Sequence, residues 1–116
     1  MLNRYAASCS ACKVSFEVMY GTVNKKESYE IFSCPSCKNL FSLSNKKKAV
    51  CPGCKSEELV RYNPNVKQNI SFYGQMLKKK MLKKKDYNDI VSYWKGIEES
   101  KCPSCGKKKL SWTMLA

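Results

Sequence analysis

Residues 34–54 read Cys34-Pro35-Ser36-Cys37-Lys38-Asn39-Leu40-Phe41-Ser42-Leu43-Ser44-Asn45-Lys46-Lys47-Lys48-Ala49-Val50-Cys51-Pro52-Gly53-Cys54, two Cys-Pro-x-Cys turns separated by 13 residues. A Cys-x-x-Cys turn holds two sulfurs close together with backbone amides aimed at them. Two such turns, or knuckles, facing one another form a tetrahedral cage of four thiolates, the set that zinc prefers. Proline preforms the turn, and Gly53 and Gly106 suit the open backbone angles of such loops. Outward from this stretch the pattern recurs as Cys9-Ser10-Ala11-Cys12, 21 residues before it, and as Cys102-Pro103-Ser104-Cys105, 47 residues after it. These knuckles use all eight cysteines of the 116-residue chain, which has no histidine. Two structural Zn²⁺ ions are therefore expected, since four thiolates fill the tetrahedron and leave no position for substrate water.

Other uses of the cysteines fit less well. Disulfides need an oxidising compartment. No signal peptide opens the sequence and no apolar run is long enough to span a membrane, so a cytoplasmic or otherwise intracellular, non-secreted protein is expected. A redox motif needs a βαβ setting and occurs once, not four times. Iron–sulfur clusters use the same ligands and remain the alternative metal. Pairing of the knuckles is open. The preferred arrangement is sequential, with Cys9, Cys12, Cys34 and Cys37 in one site and Cys51, Cys54, Cys102 and Cys105 in the other. The rival joins the second and third knuckles and leaves the first and last to close the domain; interleaved arrangements are a third option.

Val14–Tyr20 alternates apolar and polar as a half-buried strand does, and Tyr29–Phe32 returns into Cys34 after the polar turn Gly21–Glu27. Leu40–Leu43, Leu59–Tyr62 and Leu110–Leu115 read as further short strands. Between about 68 and 99 the period becomes helical. Tyr87, Ile90, Val91, Trp94 and Ile97 share one helix face, with Asp86 as the expected N-cap, and Ile70, Tyr73, Leu77 and Met81 mark an earlier helix. The expected fold is a small, metal-stabilised α+β protein. Two four-cysteine zinc ribbons, each a short antiparallel sheet, occupy 1–45 and 46–116, the second carrying the helical segment between its knuckles.

Residues 9–43 resemble the zinc ribbon of transcription-associated proteins such as RNA polymerase subunits and transcript-cleavage factors. The likeness lies in knuckle Cys9–Cys12, strands Val14–Tyr20 and Tyr29–Phe32, knuckle Cys34–Cys37 and Leu40–Leu43. Cleavage factors carry an acidic pair at the hairpin tip; here the tip is Asn24-Lys25-Lys26-Glu27, so that activity is not implied. Tyr29–Ser56 also resembles short FmdB-type zinc ribbons, a likeness that supports the rival pairing.

The formal charge is +13, from 22 basic and nine acidic residues. Eight thiolates and two divalent ions lower it by four, to roughly +9, still basic enough to favour polyanions by counterion release. Only Arg4 and Arg61 are arginines, so phosphate contact is favoured over base reading. Lysines cluster at Lys25-Lys26, Lys46-Lys47-Lys48, Lys78-Lys79-Lys80, Lys83-Lys84-Lys85 and Lys107-Lys108-Lys109. Any one run can be a solvated face and any aromatic a core residue, but five runs alternating with Tyr20, Phe41 and Tyr73 suit phosphates and stacked, unpaired bases. The leading expectation is a DNA- or RNA-binding protein attached to transcription or mobile-element biology. The alternative is a protein–protein adaptor docking a larger machine through a ribbon hairpin or the Tyr87–Ile97 helix. With no histidine and no Gly-rich phosphate loop, neither an enzyme nor a small-molecule substrate is expected, and no membrane partner is expected either.

Overall fold

The structure is a computed structural model that describes residues 1–115; Ala116, the last residue of the expected second unit, lies outside them. The element order is β1 (Leu2–Cys9), β2 (Ser15–Thr22), β3 (Ser28–Cys34), β4 (Asn39–Ser44), β5 (Val60–Tyr62), α1 (Val66–Lys78), α2 (Lys84–Lys95) and β6 (Leu110–Met114). The strands form one antiparallel sheet in the order β4-β3-β2-β1-β6, with β5 on β3.

Two three-stranded units share one design. In the first, β1 is central, pairing with β2 from Leu2↔Gly21 to Ser8↔Ser15 and with β6 from Tyr5↔Met114 to Cys9↔Leu110. In the second, β3 is central, pairing with β4 from Tyr29↔Ser44 to Cys34↔Asn39 and with β5 from Ile31↔Tyr62 to Ser33↔Val60. Each central strand ends on the first cysteine of a knuckle, and its third strand follows the second knuckle of the same unit.

Strands β2 and β3 pair only at Gly21↔Tyr29 and Thr22↔Ser28. Beyond Tyr29 that edge of β3 belongs to β5, which takes up Ile31, Phe32 and Ser33. The expected hairpin of Val14–Tyr20 with Tyr29–Phe32 therefore does not form along its length. Its place as partner of β2 is taken by β1, whose residues Leu2–Ser8 alternate around buried Tyr5 and Ala7. The division at residue 45 is not followed either. One core cluster holds Tyr5, Ala7, Val18, Ile31 and Leu40 together with Tyr62, Cys102 and Leu110, and β5 crosses the boundary to pair with β3. The two units are also not consecutive. The second lies wholly within the interval between the first unit's two knuckles.

The core is thin. The largest fully buried side chains are Ile31, Cys34, Cys51 and Cys102, three of the four being cysteines. A chain with so little buried aliphatic volume needs a supplement to its hydrophobic core. Trp112 adds an edge contact to Tyr5, centroids 6.4 Å apart, and its indole N–H donates to the Glu99 carbonyl at 2.8 Å.

The helices form a hairpin and pack mainly on each other. The first ends in a left-handed residue, Lys80 (φ 58°). There the Lys80 and Met81 amides donate to the carbonyls of Leu77 and Met76 at 3.1 and 3.0 Å, the paired bonds of a Schellman stop. Met81 thus lies beyond α1, 70% exposed, and not on the helix face expected for it. The second helix starts at Lys84 with Lys83 at its N-cap; Asp86 sits inside the first turn, where its charge complements the helix dipole.

Candidate metal centres and basic surfaces

The four knuckles are built alike. In each, the residue after the second cysteine adopts a left-handed conformation: Lys13 (φ 65°), Lys38 (φ 54°), Lys55 (φ 65°) and Gly106 (φ 78°). Its amide donates to the carbonyl of the first cysteine at 3.0, 2.8, 2.9 and 2.9 Å respectively. That bond closes the turn and leaves the intervening amides facing the sulfur. The Cys12 N–H lies 3.5 Å from Cys9 Sγ, and the Gly53 N–H lies 3.4 Å from Cys51 Sγ. Gly53 itself does not take the open backbone angle expected of it; among the described residues Gly21 and Gly106 are the glycines at positive φ.

The structure brings the cysteines into two groups of four: Cys9, Cys12, Cys102 and Cys105 in the first, Cys34, Cys37, Cys51 and Cys54 in the second. This corrects the preferred sequential pairing. The rival arrangement forms because Cys9–Cys12 caps the β1–β2 hairpin and Cys34–Cys37 caps the β3–β4 hairpin, while β5 holds β3 away from β2 at the knuckle end. The correspondence extends to individual sulfurs. Cys9 lies 3.7 Å from Cys105 and Cys12 3.6 Å from Cys102, as Cys34 lies 3.5 Å from Cys54 and Cys37 3.6 Å from Cys51.

These separations are far too long for disulfides, at about 2.05 Å. They match the roughly 3.8 Å edge of a sulfur tetrahedron around an ion with roughly 2.3 Å bonds. The residues present therefore fit a four-coordinate metal ion at both places. Thiol ionisation points the same way. Cys9 is lowered to about 6, chiefly by the Cys12 amide, and Cys51 to about 6, chiefly by the Cys54 amide. Cys37 is pushed up to about 12, first by its bond with the Cys51 sulfur, and Cys102 to about 12 by burial. Each cluster thus pairs a thiol ready to ionise with one held protonated, since four thiolates cannot coexist at this spacing without a cation.

The lysine groups lie on three parts of the surface. Lys25 and Lys26 in the β2–β3 turn adjoin the Lys46–Lys48 run after β4, because the Asn45 side chain bridges the two by bonds to the Ser28 amide and the Lys26 carbonyl. Within that run Lys48 pairs with Glu57. Lys107, Lys108 and Lys109 are exposed beside the fourth knuckle, where the Ser10 amide bonds the Lys109 carbonyl. Lys78–Lys80 and Lys83–Lys85 surround the turn between the helices, all exposed, and none forms an ion pair among the described residues. Along α1 they stand about 18 Å from Val66, at about 1.5 Å per residue.

Of the aromatics named as stacking candidates, Tyr20 borders a cleft between the sheet and α2, Tyr73 lies against Phe72 at 5.3 Å, and Phe41 sits opposite Phe32 in the sheet. The cleft also has Glu30, Arg61, Tyr93 and Trp94 along its walls. As a pocket these four were invisible in the sequence, because they come from two strands and a helix spread over more than 60 positions. Trp94 and Ile97 face this cleft, and Val91 is buried, so the Tyr87–Ile97 face is largely used within the molecule. No described helix is long and apolar enough to cross a membrane. Comparison with protein families, with curated proteins and with solved structures gave no match.

Proposed function

We propose that this chain is a zinc-stabilised nucleic-acid-binding protein, with two structural Zn²⁺ ions fixing the sheet and the α1–α2 hairpin gripping phosphates. The choice of zinc rests on an all-sulfur, closed tetrahedral donor set, which suits Zn²⁺ and leaves no open position for chemistry. The nucleic-acid reading is carried by one observation: six exposed lysines within residues 78–85, free of ion pairs among the described residues, at the tip of a helical hairpin. Lysines with no acidic neighbour bound to them are available to displace counterions from a phosphate backbone. An association with transcription or mobile elements extends this reading, on the strength of the ribbon resemblance alone.

A salt-series titration of zinc-loaded protein against labelled single- and double-stranded DNA and RNA tests it. Replacing the six hairpin lysines by glutamine should flatten the slope of log K against log salt by up to about four for a single strand, at about 0.7 per contact. An unchanged slope would take the contact surface away from the hairpin.

A second reading, a protein adaptor, draws on a different feature. Phe72 (55% exposed) and Met81 (70% exposed) form an open apolar notch with Met76 beside Lys79. Such a surface suits a partner helix with acidic residues beside its apolar knobs. Weak nucleic-acid binding that heparin mimics and that disappears near physiological salt would favour it.

A further inference from the structure

The cleft between the β3–β5 edge and α2 has the chemistry of a base-binding pocket. Its volume is about 100 Å³ and it opens to solvent, so it can take one edge of a planar heterocycle whose remainder stays outside. The floor includes Ile31, Tyr62 and Asn63, all buried. Aromatic walls come from Tyr20, Tyr93 and Trp94, with Tyr93 and Trp94 set edge to face at 5.7 Å and 83°. At the rim a carboxylate and a guanidinium stand side by side. Arg61 Nη2 is 3.6 Å from Glu30 Oε2, while Arg61 Nη1 donates to the Tyr93 hydroxyl at 3.4 Å. Both bonds are long and both side chains are about half exposed, so an incoming ligand can replace either bond at little cost.

Two ligand chemistries use aromatic walls with a carboxylate: methylated ammonium groups and nucleobases. Arg61 decides between them. A cation entering the cleft would meet a guanidinium at the mouth. A neutral heterocycle needing an acceptor and a donor on the same edge would meet Glu30 and Arg61 in those roles. Guanine has that edge: its ring N–H and amino group donate, and its O6 accepts. Adenine and cytosine each set a single amino donor beside a ring acceptor, and uracil a single ring N–H beside its carbonyls, so none offers the two adjacent donors by which guanine can engage both carboxylate oxygens.

We infer that this cleft binds an unpaired guanine, stacked against the Trp94 and Tyr20 walls, with Glu30 accepting its N1–H and N2–H and Arg61 donating to O6. The inference rests on the nucleic-acid reading in placing the base within a strand. Trp94 and Lys84 lie on the same helix, about 15 Å apart along its axis at about 1.5 Å per residue, so a strand held at the cleft reaches the hairpin lysines within a few nucleotides.

The test has two arms on the zinc-loaded full chain. In the first, free guanosine, adenosine and uridine monophosphates are titrated while the indole N–H resonances of Trp94 and Trp112 are followed by NMR. Guanosine monophosphate should shift Trp94 selectively and saturably, and Glu30→Gln, checked to retain both metals, should abolish the selectivity. Equal shifts with all three nucleotides, or a trimethyllysine peptide taking the cleft instead, would overturn the proposal. In the second arm an oligouridine of about a dozen nucleotides is compared with the same strand carrying one central guanosine. The guanosine should tighten binding roughly tenfold or more, the discrimination of one good bidentate contact, and Glu30→Gln should bring the two affinities together. If both strands bind equally with a steep salt slope, the pocket is wrong and the phosphate-binding reading stands. If neither strand binds while the nucleotide arm succeeds, the hairpin reading fails and the pocket survives for free nucleotide.

Discussion

Loss of one metal site should not be equivalent to loss of the other, because one is nested inside the other. The second site closes a loop of 14 residues between Cys37 and Cys51, whereas the first closes one of 90 residues between Cys12 and Cys102. Chain-closure entropy scales as three-halves RT ln n, so the longer loop costs about 1.6 kcal/mol more to close, a factor of about 16 in effective concentration. The sheet adds to the asymmetry: β3 of the inner unit is central and carries β4, β2 and β5, whereas β6 of the outer unit is an edge strand on β1. Cys102→Ser should therefore release one metal and leave the inner site loaded. Cys34→Ser should release both, since a structural zinc site supplies roughly 10–16 kcal/mol of apparent folding free energy, more than most domains possess. Native mass spectrometry of both variants reads the stoichiometry. A Co²⁺ titration of apo protein, followed by thiolate charge-transfer absorbance in site-specific variants, reads the order of filling: inner first, outer second. Retention of one tightly held metal in Cys34→Ser, or loss of both in Cys102→Ser, would refute the nested scheme.

Smaller perturbations probe the frame. A Cβ on Gly74 would meet only the Tyr87 hydroxyl, at 3.8 Å, an ordinary contact. Gly74→Ala should therefore gain about 0.5–1 kcal/mol of helix stability in urea unfolding, and a loss would mean that the helices pack more closely than described. Gly21 has φ 128°, and a Cβ there would lie 2.1 Å from the Met1 carbonyl oxygen, so Gly21→Ala should cost about 1–3 kcal/mol; an unchanged Tm would show that β1 does not pair as far as Leu2. Lys80→Gly relieves a left-handed lysine at the α1 stop and should stabilise by up to about 1 kcal/mol, with no change in metal content. Trp112→Phe removes the donor to the Glu99 carbonyl and should cost about 1 kcal/mol; amide exchange near Glu99 and Leu110 would report the loosened strand.

The elements were more legible than their partners. Strands β2 and β6 announce themselves by alternation, β3 to β5 as short runs of strand formers, and the metal ligands by their spacing. β1 does not: Leu2–Ser8 has no β-branched residue, and its signal is only the alternation of Tyr5, Ala7 and Cys9 toward the core. Without β1, β2 has no visible partner but β3, and the sequential pairing of knuckles follows from that one omission. A local hairpin is the economical reading of a sequence, since short loops close cheaply. Here the β2–β3 hairpin lost to a still more local one, β1–β2, and what spans the chain is the knuckle pairing from Cys12 to Cys102. The cleft formed by Glu30, Arg61 and Trp94 was illegible for the same reason, being assembled by β5 pairing with β3 and by α2 folding back on both.

The charge, legible as a total, needed the fold to be divided by role. A zinc ion held by four thiolates carries two net negative charges, and lysines follow the knuckles directly: Lys13, Lys38 and Lys55 occupy the left-handed position after the second cysteine, and Lys107 follows Gly106. Lysine in a left-handed conformation costs about 1 kcal/mol relative to glycine. Its use in three knuckles of four is intelligible if the ammonium offsets the thiolate charge a few ångströms away. Those cations adjoin the cysteine clusters in sequence, and Lys48 pairs with Glu57. The six lysines at 78–85 form no ion pair among the described residues and outnumber the four unpaired ones at Lys25, Lys26, Lys46 and Lys47, which is the physical reason to look for a polyanion first at the helical hairpin.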